Sequence, residues 1–75
     1  MKTNMGNNMR RIAIAANLGA LQTILTELAE RSVEAHACIL RGEQNMAMGT
    51  LLDFDAQLSD ARALYAAALA LHRST

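Results

Sequence analysis

The chain has 75 residues, with seven basic and seven acidic side chains, two aromatics and one cysteine. That length leaves no room for a cofactor domain beside a substrate domain, and one cysteine excludes an internal disulfide framework or a cysteine-based zinc cage. The zero net charge argues against a general nucleic-acid-binding domain.

Fifteen alanines and eleven leucines with no proline favour helix over strand. Residues 1–9 (MKTNMGNNM) are polar and lack an apolar period, so they are expected to form a flexible polar arm preceding a single domain over 10–75. Arg10 and Arg11 precede IAIAANLGAL in the manner of a signal peptide. Asn17 and Gln22 interrupt that stretch and an amphipathic pattern runs on beyond it, so no secretory signal is expected. The most apolar contiguous run, Ala63–Leu71, is far shorter than the ~20 residues that cross a bilayer. On that criterion there is no membrane segment, and the chain is expected in the cytoplasm.

A first helix is expected over about 14–41. Ile14, Leu18, Leu21, Leu25, Leu28, Ser32, Ala35 and Ile39 recur at alternating steps of four and three, the seam of a heptad helix. Glu27 and Arg31 lie off that seam as a favourable i,i+4 pair. Arg41 and Gly42 then read as a helix end, with a basic last turn and a glycine suited to the left-handed C′ position.

A second helix is expected over about 45–72, with Ala47, Leu51, Phe54, Leu58, Ala61, Tyr65, Ala68 and His72 at the same steps and Leu64 and Leu71 as a flank. Its start is open. Thr50 with Asp53 forms a capping pattern, so the helix begins either near Asn45 with Gly49 inside it or at Thr50. The fold class is therefore all-α, a two-helix antiparallel hairpin about 37 Å long. Such a small pair leaves apolar surface uncovered, because even a compact chain of this size buries only about 60% of its unfolded surface. Completion of a four-helix bundle by dimerisation is expected.

The chemistry-bearing residues are few. His36 and Cys38 are two apart and diverge on a helix, whereas helical metal pairs need spacings of three or four. Asp53, Asp55 and Asp60 read as a solvated face and an N-terminal charge suited to the helix dipole. No phosphate loop and no Ser-His-Asp set is present. No catalytic residue, metal site or cofactor is expected, and the chain is read as a non-enzyme. Met46 and Met48 flank the turn, where flexible side chains suit either end packing or an adaptable surface. The single thiol points to a reducing compartment. Lys2, Arg10 and Arg11 form the one basic cluster and would meet phosphate or an acidic partner.

The Leu21–Leu25–Leu28 run, the Leu40-Arg41-Gly42 turn and the apolar face ending in Ala61–Leu71 resemble the small co-chaperones of bacterial type III secretion needle subunits. Those proteins are two-helix hairpins that pair with a helical-repeat chaperone to keep the needle protein soluble. The plan is also similar to a plasmid RNA-binding hairpin that dimerises into a four-helix bundle, although the outer faces here lack a basic stripe. The resemblance covers about 55 residues at the level of architecture.

The function expected from this reading is protein binding through apolar heptad faces by a small bacterial adaptor, co-chaperone or regulator. Leu18, Leu21, Leu25, Leu28, Phe54, Leu58 and Tyr65 would carry association, with a second copy or another helical protein as partner. The alternative is a homodimeric RNA- or DNA-binding regulator using Lys2, Arg10 and Arg11.

Overall fold

The computed structural model describes the backbone of residues 2–74 and the side chains from residue 6 onward. All described elements are helical: α1 (Lys2–Leu40), α2 (Gln44–Thr50) and α3 (Phe54–Arg73). Elements α2 and α3 are the two arms of one bent helix, so the molecule consists of two long helices, the second bent.

The first helix begins at Lys2 rather than near Ile14. The segment 1–9, expected as a polar arm, is thus helical from Lys2. No proline and no capping bond interrupts it. Arg10 and Arg11 donate to the side-chain oxygens of Asn7 and Asn8 at 2.6 and 2.7 Å, which ties the asparagines into i,i+3 pairs on the helix surface. The 39 residues of α1 rise about 58 Å, which accounts for the longest dimension of the molecule, 61 Å. Helix α3, with 20 residues, rises only about 30 Å, so the N-terminal part of α1 overhangs it. The remaining dimensions, 15 × 12 Å, correspond to a single layer of helices.

Helix α1 ends as its sequence implies. The Glu43 amide donates to the Cys38 carbonyl at 2.9 Å and the Gly42 amide to that of Ile39 at 3.0 Å, the paired bonds of a Schellman motif. Gly42 holds the left-handed φ of +79° that this motif requires. The Arg41 guanidinium bonds Glu43 at 2.7 Å, and that carboxylate raises the Arg41 pKa above its ordinary value.

The second helix takes the earlier of the two expected starts, near Asn45 with Gly49 inside it. It opens at Gln44, tightens over residues 51–53 through amide bonds to carbonyls three residues back, and resumes at Phe54. Thr50 does not cap it. Its hydroxyl bonds back to the Met46 carbonyl at 3.0 Å, and Asp53 makes no side-chain capping bond.

Helix α3 runs back along α1. The Arg10 guanidinium donates to the Ser74 carbonyl at one end. Near the middle, Arg31 donates to the Gln57 side-chain oxygen at 2.6 Å, and the Gln57 amide donates to Glu27 at 3.3 Å. These bonds set the register, placing Gln57 against the Glu27–Arg31 turn of α1, with Ala35 and Phe54 lining one groove nearer the tip.

The contact between the two helices differs from the expected seam. On α1 the inward rows are Ile14, Leu21, Leu28 and Ala35 together with Asn17, Ile24, Arg31 and Cys38, all buried or half-buried. The other half of the expected seam, Leu18, Leu25, Ser32 and Ile39, is exposed. Helix α3 repeats the pattern. Phe54, Ala61 and Ala68 pack inward with Gln57, Leu64 and Leu71, while Leu58, Tyr65 and His72 are exposed. Both choices of rows give alternating steps of three and four, so periodicity alone does not separate them. Leucine content favoured the row that lies outside. The row that lies inside carries Arg31 and Gln57, whose mutual bond holds the pair together.

The resulting core is slight. Six of the described residues are buried: Leu28, Ala35, Cys38, Ala47, Ala61 and Ala68. Leu28 is the one large aliphatic among them.

Candidate interaction face

Two rows of exposed apolar side chains flank the helix contact. The α1 row contains Leu18, Leu25 and Ile39, which are 44–49% exposed, and the α3 row contains Leu58 and Tyr65, at 49% and 56%. Each follows by four residues a position packed inward on its own helix. When two helices pack antiparallel, equivalent flanks lie on the same side of the pair. The geometry near the tip bears this out. A groove of about 310 Å3 is lined by Ser32, Ala35 and Ile39 from α1 together with Ala47, Met48, Leu51 and Phe54 from the bent helix. A second shallow groove, of about 370 Å3, lies along α1 among Leu18, Leu21, Leu25 and Ala29.

The opposite side of the pair has a different character. Gln57 bonds Glu27 there, and Glu34 and Asp60 continue the same two rows. Between Leu18 and Ile39 on α1 and between Leu58 and Tyr65 on α3 the rows of one face carry no acidic or basic side chain, whereas the other side bears Glu27, Glu34 and Asp60 together with Arg31.

The sequence-predicted interface residues fall into two groups. Leu18, Leu25, Leu58 and Tyr65 stand on the open face. Leu28 is 6% exposed and belongs to the core, while Leu21 and Phe54 are half-buried between the two environments. Sequence reasoning missed Ile39 as an exposed member and Ala47 as the small residue that floors the tip groove. Both lie on the expected heptad seams, but spacing alone does not mark a seam position as exposed or as the floor of a groove.

The other candidates are dispersed. Cys38, 1% exposed, is a core filler whose Sγ accepts a 3.4 Å bond from Arg41. His36 is exposed at the lip of the tip groove. Met46 and Met48 are each 57% exposed, and only Met48 reaches that groove. No group of three or more His, Cys, Asp or Glu able to hold a metal occurs among the described residues. Of the basic cluster, Arg10 and Arg11 are engaged with Ser74, Asn7 and Asn8, and the Lys2 side chain lies outside the described residues.

One observation corrects the contiguous-run criterion for membranes. Over Gly6–Leu40, α1 is long and apolar enough to cross a bilayer by length and composition, with an 18-residue window of mean hydropathy 1.4 that is only 6% buried. A contiguous run stops at Asn17 and Gln22, whereas a window averages across them.

No protein-family model matches the chain, and neither a curated protein nor a solved structure matches it.

Proposed function

We propose that this protein is a non-enzymatic helical interaction module, a bacterial cytoplasmic adaptor, co-chaperone or regulator. On this reading the two helices form a hairpin whose apolar face receives the helices of a partner and so completes a four-helix bundle. One observation carries the proposal: Leu18, Leu25 and Ile39 of α1 and Leu58 and Tyr65 of α3 stand half exposed in two rows on one side of the helix pair, opposite the side that bears Glu27, Glu34 and Asp60. Exposed apolar side chains gathered on one side mark an association surface, whereas the same residues scattered singly would mean nothing.

The test is Leu25→Asp, with helicity followed by circular dichroism and mass by light scattering. Leu25 is half exposed and outside the intramolecular contact, so a charge there leaves the helices folded and removes association. An unchanged association state and unchanged partner capture would sink the proposal.

A second reading rests on the hydropathy of α1. Here the same face, or the whole of α1, enters a lipid bilayer. Flotation with vesicles of neutral lipid separates the two, since a protein-binding face stays in the aqueous fraction. The nucleic-acid reading has weaker support, because Arg10 and Arg11 already have side-chain or main-chain partners. It requires RNA or DNA binding that falls steeply with added salt.

A further inference from the structure

We infer that the occupant of the apolar face is a second copy of this chain, packed face to face with its turn at the opposite end of the bundle. The inference rests on the reading just given and names the partner.

Area is the first argument. The chain exposes 5812 Å², against about 4,500 Å² for a compact monomer of its 8.1 kDa mass. The excess of roughly 1,300 Å² exceeds the ~800 Å² that each partner contributes to an ordinary stable interface. Part of that excess is the overhang of α1, and the face adds the exposed halves of Leu18, Leu25, Ile39, Leu58 and Tyr65.

Charge is the second. Asp55 and Arg62 are both exposed and sit seven residues apart on α3, along the rim of the apolar face beside Leu58. Among the described residues the one ion pair is Arg41–Glu43, so these two have no intramolecular ion partner. A two-fold axis crossing the helices at the level of Leu58 sets Asp55 of each copy opposite Arg62 of the other. In a two-fold interface any such contact occurs twice. The acidic rows bearing Glu27, Glu34 and Asp60 remain on the outer surfaces, away from each other.

Shape is the third, and it uses the same axis. Along α1 the large residues Leu25 and Leu28 lie on one side of that level, and the small Ser32 and Ala35 on the other. The axis brings the exposed Leu25 to the level of Ala35 of the second copy, next to its exposed Ser32, while Leu28 and Ala35 themselves lie in the core of each hairpin. On α3 it carries Tyr65, the largest exposed side chain of the face, to the level of residue 52 of the other copy. That is the mouth of the 310 Å3 tip groove beside Leu51 and Phe54. An aromatic ring entering a groove of this kind is the common anchor of an interface.

The experiment uses the full chain. Light scattering over a wide concentration range should give twice the chain mass. Leu58→Cys, close to the axis, should form a disulfide-linked dimer under mild oxidation, while the wild-type chain does not, since Cys38 is buried. Asp55→Arg or Arg62→Asp should each raise the dimer Kd roughly ten-fold, because two ion pairs become two repulsions, and the double swap should restore it to within about three-fold. These surface swaps leave the fold intact, which circular dichroism checks. A folded monomer at all concentrations overturns the second copy while leaving the binding reading standing if another helical protein is captured through Leu25. A dimer in which Leu58→Cys links only to a Ser32→Cys chain, and never to itself, overturns the arrangement by placing both turns at the same end. A dimer indifferent to Leu25→Asp overturns both this inference and the reading beneath it.

Discussion

Leu25 and Leu28 are three residues apart on one helix, and replacing each by alanine tests the whole packing scheme. Leu28 is 6% exposed and is the one large aliphatic side chain buried between the helices. Truncating a buried leucine removes its transfer free energy and leaves a cavity, and such changes cost about 2–5 kcal/mol. A site bordered by a single layer of helices collapses readily, which puts Leu28→Ala near the low end, about 2–3 kcal/mol. A chain of this length has a total stability of roughly 4–11 kcal/mol, so that loss is a large fraction of it. Leu25 is 49% exposed in the single chain. Half of the ~1.5–3 kcal/mol of a fully buried leucine is then uncovered, and Leu25→Ala should cost a monomer only about 1 kcal/mol. If the open face is covered in solution, the cost rises towards that of Leu28→Ala and grows with protein concentration. The assay is urea unfolding followed by circular dichroism at several protein concentrations. The packing of α3 on α1 would be refuted by a Leu28→Ala cost below about 0.5 kcal/mol with helicity retained, the range of an ordinary surface substitution.

Other outcomes follow from particular residues. Gly42→Ala should destabilise by about 1 kcal/mol or more, because a Cβ is strained at φ +79°; thermal melts would show it, and an unchanged melt would mean the turn relaxes to another form. Gln57→Ala removes the bonds to Arg31 and Glu27 and should cost about 0.5–1.5 kcal/mol. Gln57→Leu tests the same position from the other side: equal or greater stability would mean that the polar pair sets register rather than strength. The Cys38 thiol, 1% exposed, should react with a thiol reagent at the rate of unfolding, and prompt labelling in native buffer would contradict its burial. Arg62→Ala should leave chain stability within about 0.5 kcal/mol, since Arg62 is exposed, with any effect confined to association.

Much of this molecule was written in local chemistry. Alanine and leucine content with no proline determines helix throughout, and Arg41-Gly42 determines where the first helix stops, because only glycine takes the required φ without strain. The apolar stripes, and hence Leu18, Leu25, Leu58 and Tyr65 as candidates for association, are likewise legible from spacing. The start of α1 was not legible, since residues 1–9 are polar and lack an apolar period, and the bonds of Asn7 and Asn8 to Arg10 and Arg11 form only on the helix surface. Nor was the bend before Phe54, where Thr50 turns its hydroxyl back to Met46 rather than capping forward. The choice between rows belonged to tertiary structure alone. A heptad pattern is the same whether Ile14 and Leu21 pack with Asn17 and Ile24 or with Leu18 and Leu25. The bond between Arg31 and Gln57, residues 26 apart, forms on the row that packs inward, and the leucine row is left facing out. No local preference encodes a bond across that separation, so the side on which this protein offers its apolar surface is decided only when the second helix folds back on the first.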